Sequence, residues 1–232
     1  MGTIRFVCHV PFLIGNVFLI AISFAAVVNL AGAQQDNPDV YTLNAQLLVA
    51  SRAGDTATAL RLLDRGAAIN SRNRGGNTSL LMFAEQGNSG MVASLLKRDA
   101  DVNLPNLEKV TPLMAATHAG HGDIVGLLLD HGAQTQSEDQ VFRTAMIYAA
   151  GAGQSEIVTM LLDTGIDVNQ RYRHELTALM WAAGYGRADT VNALLARGAD
   201  KAFVDDRGKN AMAIARDAGH QDVVALLHNS GR

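Results

Sequence analysis

Cysteine is almost missing from this chain: Cys8 is the only one in 232 residues. A disulfide framework and any cysteine-based metal site are excluded at once. Proline is scarce, with four residues, and aromatics make up 5% of the chain with a single Trp, so a collagen-like or proline-rich polymer is excluded as well. An excess of positive charge is also lacking. Lys and Arg number 19 against 22 Asp and Glu, a net charge of −3, which is the wrong balance for a strongly basic nucleic-acid binder. What is present is apolar: 48% of residues are hydrophobic, enough for an ordinary packed core and too many for a disordered chain.

Long hydrophobic runs occur in one place. Arg5 is the only charged side chain before Asp36, residues 17–28 are apolar except for Ser23, and Ala31-Gly32-Ala33 offers small residues where an A-x-A cleavage site needs them. The segment 1–33 reads as a secretory signal peptide cut after Ala33. Its apolar part, 11–30, has about the length a bilayer core requires, which leaves an uncleaved anchor as the alternative, although Asn16 interrupts it. Cys8 lies inside this segment without a lipid-attachment context, so the mature chain carries no thiol.

After a short linker, 34–43, the chain repeats itself. Thr78, Thr111, Thr144, Thr177 and Asn210 fall 33 residues apart, as do Gly54, Gly87, Gly120, Gly153, Gly186 and Gly219. A Thr side chain can cap a helix, and Pro112 stands at a first helical position, where a missing N–H costs nothing. The Gly nine residues after each Thr can end that helix in the left-handed conformation. A second helix then opens with an acid (Asp123, Glu156, Asp189, Asp222) at the positive end of its dipole. Apolar pairs one turn apart, such as Ile124-Val125 with Leu128-Leu129, mark its buried face.

The period and the Thr-x-Leu start, clearest in "VTPLMAATHAGHGDIVGLLLDHGA" (110–133), resemble ankyrin repeats. The resemblance implies an all-α solenoid of about six helix-turn-helix repeats over 44–232, with boundaries near 44–70, 71–103, 104–136, 137–169, 170–202 and 203–232, joined by short β-hairpin or loop connections. The end copies suit capping. Ala45 stands where the first Thr belongs, and Arg216 and His228 replace small or apolar residues in the last repeat. Asp99 stands where the other repeats have Gly66, Gly132, Gly165, Gly198 and Gly231. The family's His three residues after the Thr is missing; those positions are Leu81, Met114, Ile147, Met180 and Ala213, so an inter-repeat His ladder is not expected there.

Catalytic signatures are wanting. His118, His121 and His131 do not share a helical face, no paired-ligand spacing exists, and residues 151–156 lack the glycines of a phosphate loop. No enzyme activity, metal, cofactor or small-molecule substrate is expected. Asn77-Thr78-Ser79 matches a glycosylation acceptor, yet its Thr is a helix cap.

The aromatics stand out instead. Four and eight residues after each Thr, one helical turn apart, come Tyr148, Trp181 and Tyr185. In ankyrin-like repeats these positions and the hairpin tips line the concave surface, where Arg143, Arg173 and His174 would add a basic edge. Trp, Tyr and Arg are the usual anchors of protein interfaces. The alternative for Trp181 is ordinary packing between hairpin and helix. The expectation is therefore a monomeric protein-binding module, exported and bacterial, periplasmic or secreted, contacting membrane only if its N-terminal segment stays attached. A membrane-tethered scaffold and a secreted effector or immunity-type inhibitor are the rival readings.

Overall fold

The computed structural model describes residues 39–229. The segment read as a signal peptide, residues 34–38 of the linker, and Gly231 lie outside them. The unit from Val40 onward contains twelve α-helices among the described residues, in six pairs. They are α1 (Val40–Arg52) with α2 (Thr56–Asp64), α3 (Ser79–Glu85) with α4 (Ser89–Leu96), and α5 (Pro112–Ala119) with α6 (Gly122–Asp130). Then come α7 (Ala145–Ala152) with α8 (Ser155–Asp163), α9 (Ala178–Gly184) with α10 (Ala188–Ala196), and α11 (Ala211–Asp217) with α12 (Gln221–Asn229). Odd-numbered helices stack on one another in one layer and even-numbered helices in a second. Among the described residues there is no strand, and no helix is long and apolar enough to cross a membrane.

Each start and stop has a local cause. Thr78, Thr111, Thr144 and Thr177 each accept the backbone N–H three residues on with Oγ1, and Asn210 does so with Oδ1. The repeated glycines 54, 87, 120, 153, 186 and 219 all have positive φ. The first repeat departs from the rest: without a Thr, α1 runs through Ala45 and back to Val40, taking in the end of the expected linker.

Helices of seven to nine residues, as all but α1 are, do not hold alone and depend on burial between neighbours. The inner odd helices, α3 to α9, are largely buried, with Ser79 through Ala84 and Pro112 through Thr117 buried without a break, whereas α1 and α11 at the two ends bury one face. Ala116, Ala149, Ala182 and Ala215, one per repeat, are fully buried, and their small side chains let the two layers approach. In the even layer Leu95, Leu128, Leu161, Leu194 and Leu227 are likewise at zero exposure, each contributing roughly 1.5–3 kcal/mol of burial. Leu81, Met114, Ile147 and Met180, at the family's His position, are buried and fill the space with dispersion contacts.

Polar ladders replace that His. His121 Nε2 pairs with Glu85 O at 3.1 Å, Arg187 Nε donates to Gly151 O at 2.9 Å, and His220 Nε2 pairs with Gly184 O at 3.2 Å, each tying one repeat to the one before. A second ladder runs through asparagines. Asn70, Asn103 and Asn169 accept the backbone N–H of Asp101, Gln134 and Asp200 in the next repeat. Gln136 takes the corresponding place in the third connection and pairs with Gln170 instead.

Candidate protein-binding groove

The connections between repeats are tight hairpin loops, each closed by a backbone bond across its base: Asn73 to Asn77, Asn106 to Val110, Asp139 to Arg143, Tyr172 to Leu176 and Asp205 to Lys209. That single closing bond is too little for a strand, so of the expected β-hairpin or loop connections these are loops. Four of the five loops are locked by a side chain at their first position. Asp139 Oδ1 accepts from Val141 N at 2.9 Å and Arg143 N at 2.8 Å; Asn73, Asn106 and Asp205 do the same in their own loops. In the remaining loop, the fourth along the chain, Tyr172 stands at that position and cannot accept such a pair of bonds. The loop tightens into a 3₁₀ turn, Arg173–Glu175, with both His174 and Glu175 at positive φ.

Asp139 also reaches into the groove between the hairpins and the odd helices. Its Oδ2 accepts the Tyr148 hydroxyl at 2.6 Å, so a buried carboxylate fixes the hairpin and the tyrosine together. Burial, with the Asp139 bond adding to it, pushes the Tyr148 phenol up to about 12. The ring meets His118 edge-on at 5.3 Å between centroids, and the Arg143 guanidinium lies 5.7 Å from its centroid. One repeat further, Trp181 and Tyr185 stack with centroids 5.9 Å apart and planes 8° apart. Trp181 is half-buried against the core, and its Nε1 is buried without a hydrogen-bond partner. Tyr185 forms the C-cap of α9 and is 54% exposed.

Of the residues singled out from sequence, Tyr148, Trp181, Tyr185 and Arg143 come together around one slot of about 300 Å³. Arg173 and His174 do not line it. They sit at the fourth hairpin tip and reach its neighbours: the Arg173 guanidinium lies 4.5 Å from the centroid of the Phe142 ring, and His174 Nδ1 is 2.8 Å from Asp206 Oδ2. The slot opens into a cavity of about 580 Å³ over repeats two to four, lined in part by Leu107, Glu85 and Glu108, with His118, Arg143 and Tyr148 common to both. Sequence reasoning missed three contributors. Arg187, hidden as a variant of the ladder position, and His118 line the slot. Phe142 is 47% exposed at φ 65, where other hairpins place Gly76 or Gly208; a bulky residue at a glycine position was the available signal.

The remaining candidates are structural. His121 and His131 each pair with a backbone carbonyl, of Glu85 and Leu127, and His118 faces Tyr148, so the three rings serve different contacts. Among the described residues no cluster of His, Cys, Asp and Glu has the form of a metal site. Asn77 Oδ1 accepts from Asn106 Nδ2 in the next repeat, and Thr78 is 1% exposed, so the glycosylation pattern is occupied by folding contacts. No curated protein matches the chain. The profile of ankyrin repeats matches in three overlapping copies, at residues 47–139, 106–172 and 146–232. With nearly all of the repeat unit covered, the chain belongs to the ankyrin repeat family, whose repeats are in general protein–protein interaction modules rather than enzymes.

Proposed function

We propose that this is an exported, non-enzymatic binding protein that holds a protein partner in the groove between its hairpin loops and odd helices, after removal of residues 1–33. The observation that carries this reading is the Trp181–Tyr185 stack. A half-exposed tyrosine lies flat on the only tryptophan of the chain, beside Tyr148, in a groove that neighbouring repeats continue. Large flat aromatics with few rotatable bonds are the usual centres of interface energy. Arg143 supports the reading from the slot's edge, and Arg173 and His174 from the adjoining hairpin tip.

The test is capture of the partner from the native compartment followed by titration against variants. Tyr185→Ala should weaken the complex by about 2 kcal/mol, the scale of an interface hot spot, while leaving the unfolding midpoint nearly unchanged. Thr159→Ala, in α8 on the even layer, should leave affinity as it is; its hydroxyl only bonds Ser155 O in its own helix. Unaltered affinity for Tyr185→Ala with a weakened Thr159→Ala complex would place the partner on the other layer. Export is tested separately by sequencing the processed N-terminus: Gln34 is expected, and an intact Met1 on exported protein refutes cleavage.

A further inference from the structure

The slot between Tyr148 and the Trp181–Tyr185 stack differs in sign of charge from the chain as a whole. The protein as a whole carries a net charge of −3, yet the slot is lined by Arg143, Arg187 and His118 together with the three aromatics, and by no carboxylate. Glu85 and Glu108 line the adjoining cavity and not the slot, and three acids of the hairpins beside the slot are already engaged. Asp139 is buried and satisfied by two backbone N–H groups and the Tyr148 hydroxyl, Glu175 pairs with Arg171, and Asp206 pairs with His174. The arginines are not so engaged: Arg143 and Arg173 lie over aromatic rings, and Arg187 spends its Nε on Gly151 O, so among the described residues no carboxylate pairs with any of the three guanidinium groups.

We infer that, given the groove reading above, the segment of partner bound here is an acidic one, with an apolar side chain entering the slot between Tyr148 and Tyr185 and flanking carboxylates meeting Arg143, Arg187 and Arg173. The arrangement follows from complementarity. An exposed guanidinium over a ring keeps its N–H edge free for a carboxylate while its face stays on the aromatic. The slot volume of about 300 Å³ admits a side chain the size of Phe or Leu, not a folded element. A cationic segment would meet two arginines without compensation, and a neutral one would leave them uncompensated.

The chain carries its own reporter, since Trp181 is the only tryptophan and lies in the slot wall. The blocked peptide Glu-Asp-Phe-Glu-Asp, titrated into the full chain at low salt, should change Trp181 emission saturably, and added salt should weaken its binding. Its Gln-Asn-Phe-Gln-Asn and Lys-Lys-Phe-Lys-Lys counterparts should bind at least about tenfold more weakly, and Arg143→Glu should cost the acidic peptide about tenfold as well. Arg143 holds the hairpin through its backbone carbonyl and N–H, not its side chain, so that variant keeps its fold, and an unchanged circular dichroism spectrum confirms it. Arg98→Glu, in a remote ion pair with Asp64, should leave peptide affinity unaltered. Equal binding of the neutral or basic peptide, equal binding of an oligothymidylate, or no saturable response to the acidic peptide at millimolar concentration overturns the inference. Each of those results leaves the groove itself to be judged by the Tyr185→Ala capture experiment, so the two failures are told apart.

Discussion

Substituting Gly186 by alanine separates two costs that the repeat glycines combine. Gly186 follows the C-cap of α9 at φ 68, where an L side chain is strained by about 1 kcal/mol. A Cβ there would lie 2.5 Å from His220 Nδ1 and 2.9 Å from its Cγ, against an ordinary contact of 3.4 Å or more. Because Cγ is close as well, ring rotation does not clear the clash, and the imidazole must move away by several tenths of an ångström at least. That movement breaks the 3.2 Å contact between His220 Nε2 and Gly184 O, worth about 1 kcal/mol. Gly198→Ala is the reference: φ is 86 and nothing lies within 4 Å of its Cβ, so only the backbone strain of about 1 kcal/mol applies. The expected costs are therefore about 2 kcal/mol for Gly186→Ala and half that for Gly198→Ala. Urea unfolding, followed by Trp181 emission and circular dichroism with the slope of the transition held constant, measures both. In a His220→Ala background the Gly186→Ala cost should fall to the reference value, a coupling of about 1 kcal/mol. Equal costs for the two glycines, or no coupling to His220, would refute the reasoning that close inter-repeat contact, not backbone conformation alone, requires glycine here.

Two further outcomes follow from the same kind of reasoning. Asp99 adopts φ 60 where other repeats have glycine, so Asp99→Gly should stabilise the protein by about 1 kcal/mol, and a lower urea midpoint would show that the carboxylate is serving a contact. Burial alone would raise the Asp205 pKa, but the backbone N–H of Lys209 and the Arg207 guanidinium outweigh it and hold the carboxyl below its usual 3.8. A depressed folded-state value stabilises the protein above pH 3.8, and that stability is lost as pH falls through the folded value. Asn keeps the acceptor, as Asn73 and Asn106 show in their own loops, so Asp205→Asn should fold and lose less stability than the parent between roughly pH 5 and pH 3. Parallel acid limbs for the two proteins would refute the assignment.

The repeat was legible because its features are local. A Thr that caps, a glycine that turns and paired aliphatics one turn apart act within a few residues, and each recurs at the same place along the sequence and in the structure. The start of α1 was not legible, since it has no capping Thr and its extension to Val40 rests on tertiary packing of Leu43 and Leu47. The ladders were only half legible. His121 and His220 were visible as a recurring position, but Arg187 makes the same contact through different chemistry, and only the distance from Nε to Gly151 O shows the equivalence. Pairing between hairpin tips, as between Arg173 and Phe142, depends on side chains from consecutive repeats crossing a gap that spacing alone does not measure.

A stacked repeat separates folding from recognition by position. Places where the inner copies largely agree, such as the capping Thr and the buried Ala and Leu rows, are constrained by similar neighbours above and below. Places where one copy breaks the pattern are free of that constraint, and here the breaks gather around one groove. Trp181 and Tyr148 stand where other copies have Met82, Ala115 and Ile214; Phe142 puts an aromatic ring where the other hairpins have Gly76, Lys109, Glu175 and Gly208; Tyr172 replaces the Asn or Asp that locks the other loops. The last of these breaks has a mechanical consequence. Losing the side-chain lock tightens the fourth loop into a 3₁₀ turn, and from that turn Arg173 meets Phe142 in the third hairpin while His174 meets Asp206 in the fifth. The departure that weakens one loop on its own thus joins three loops at their tips, and it does so beside the slot that holds the aromatic stack.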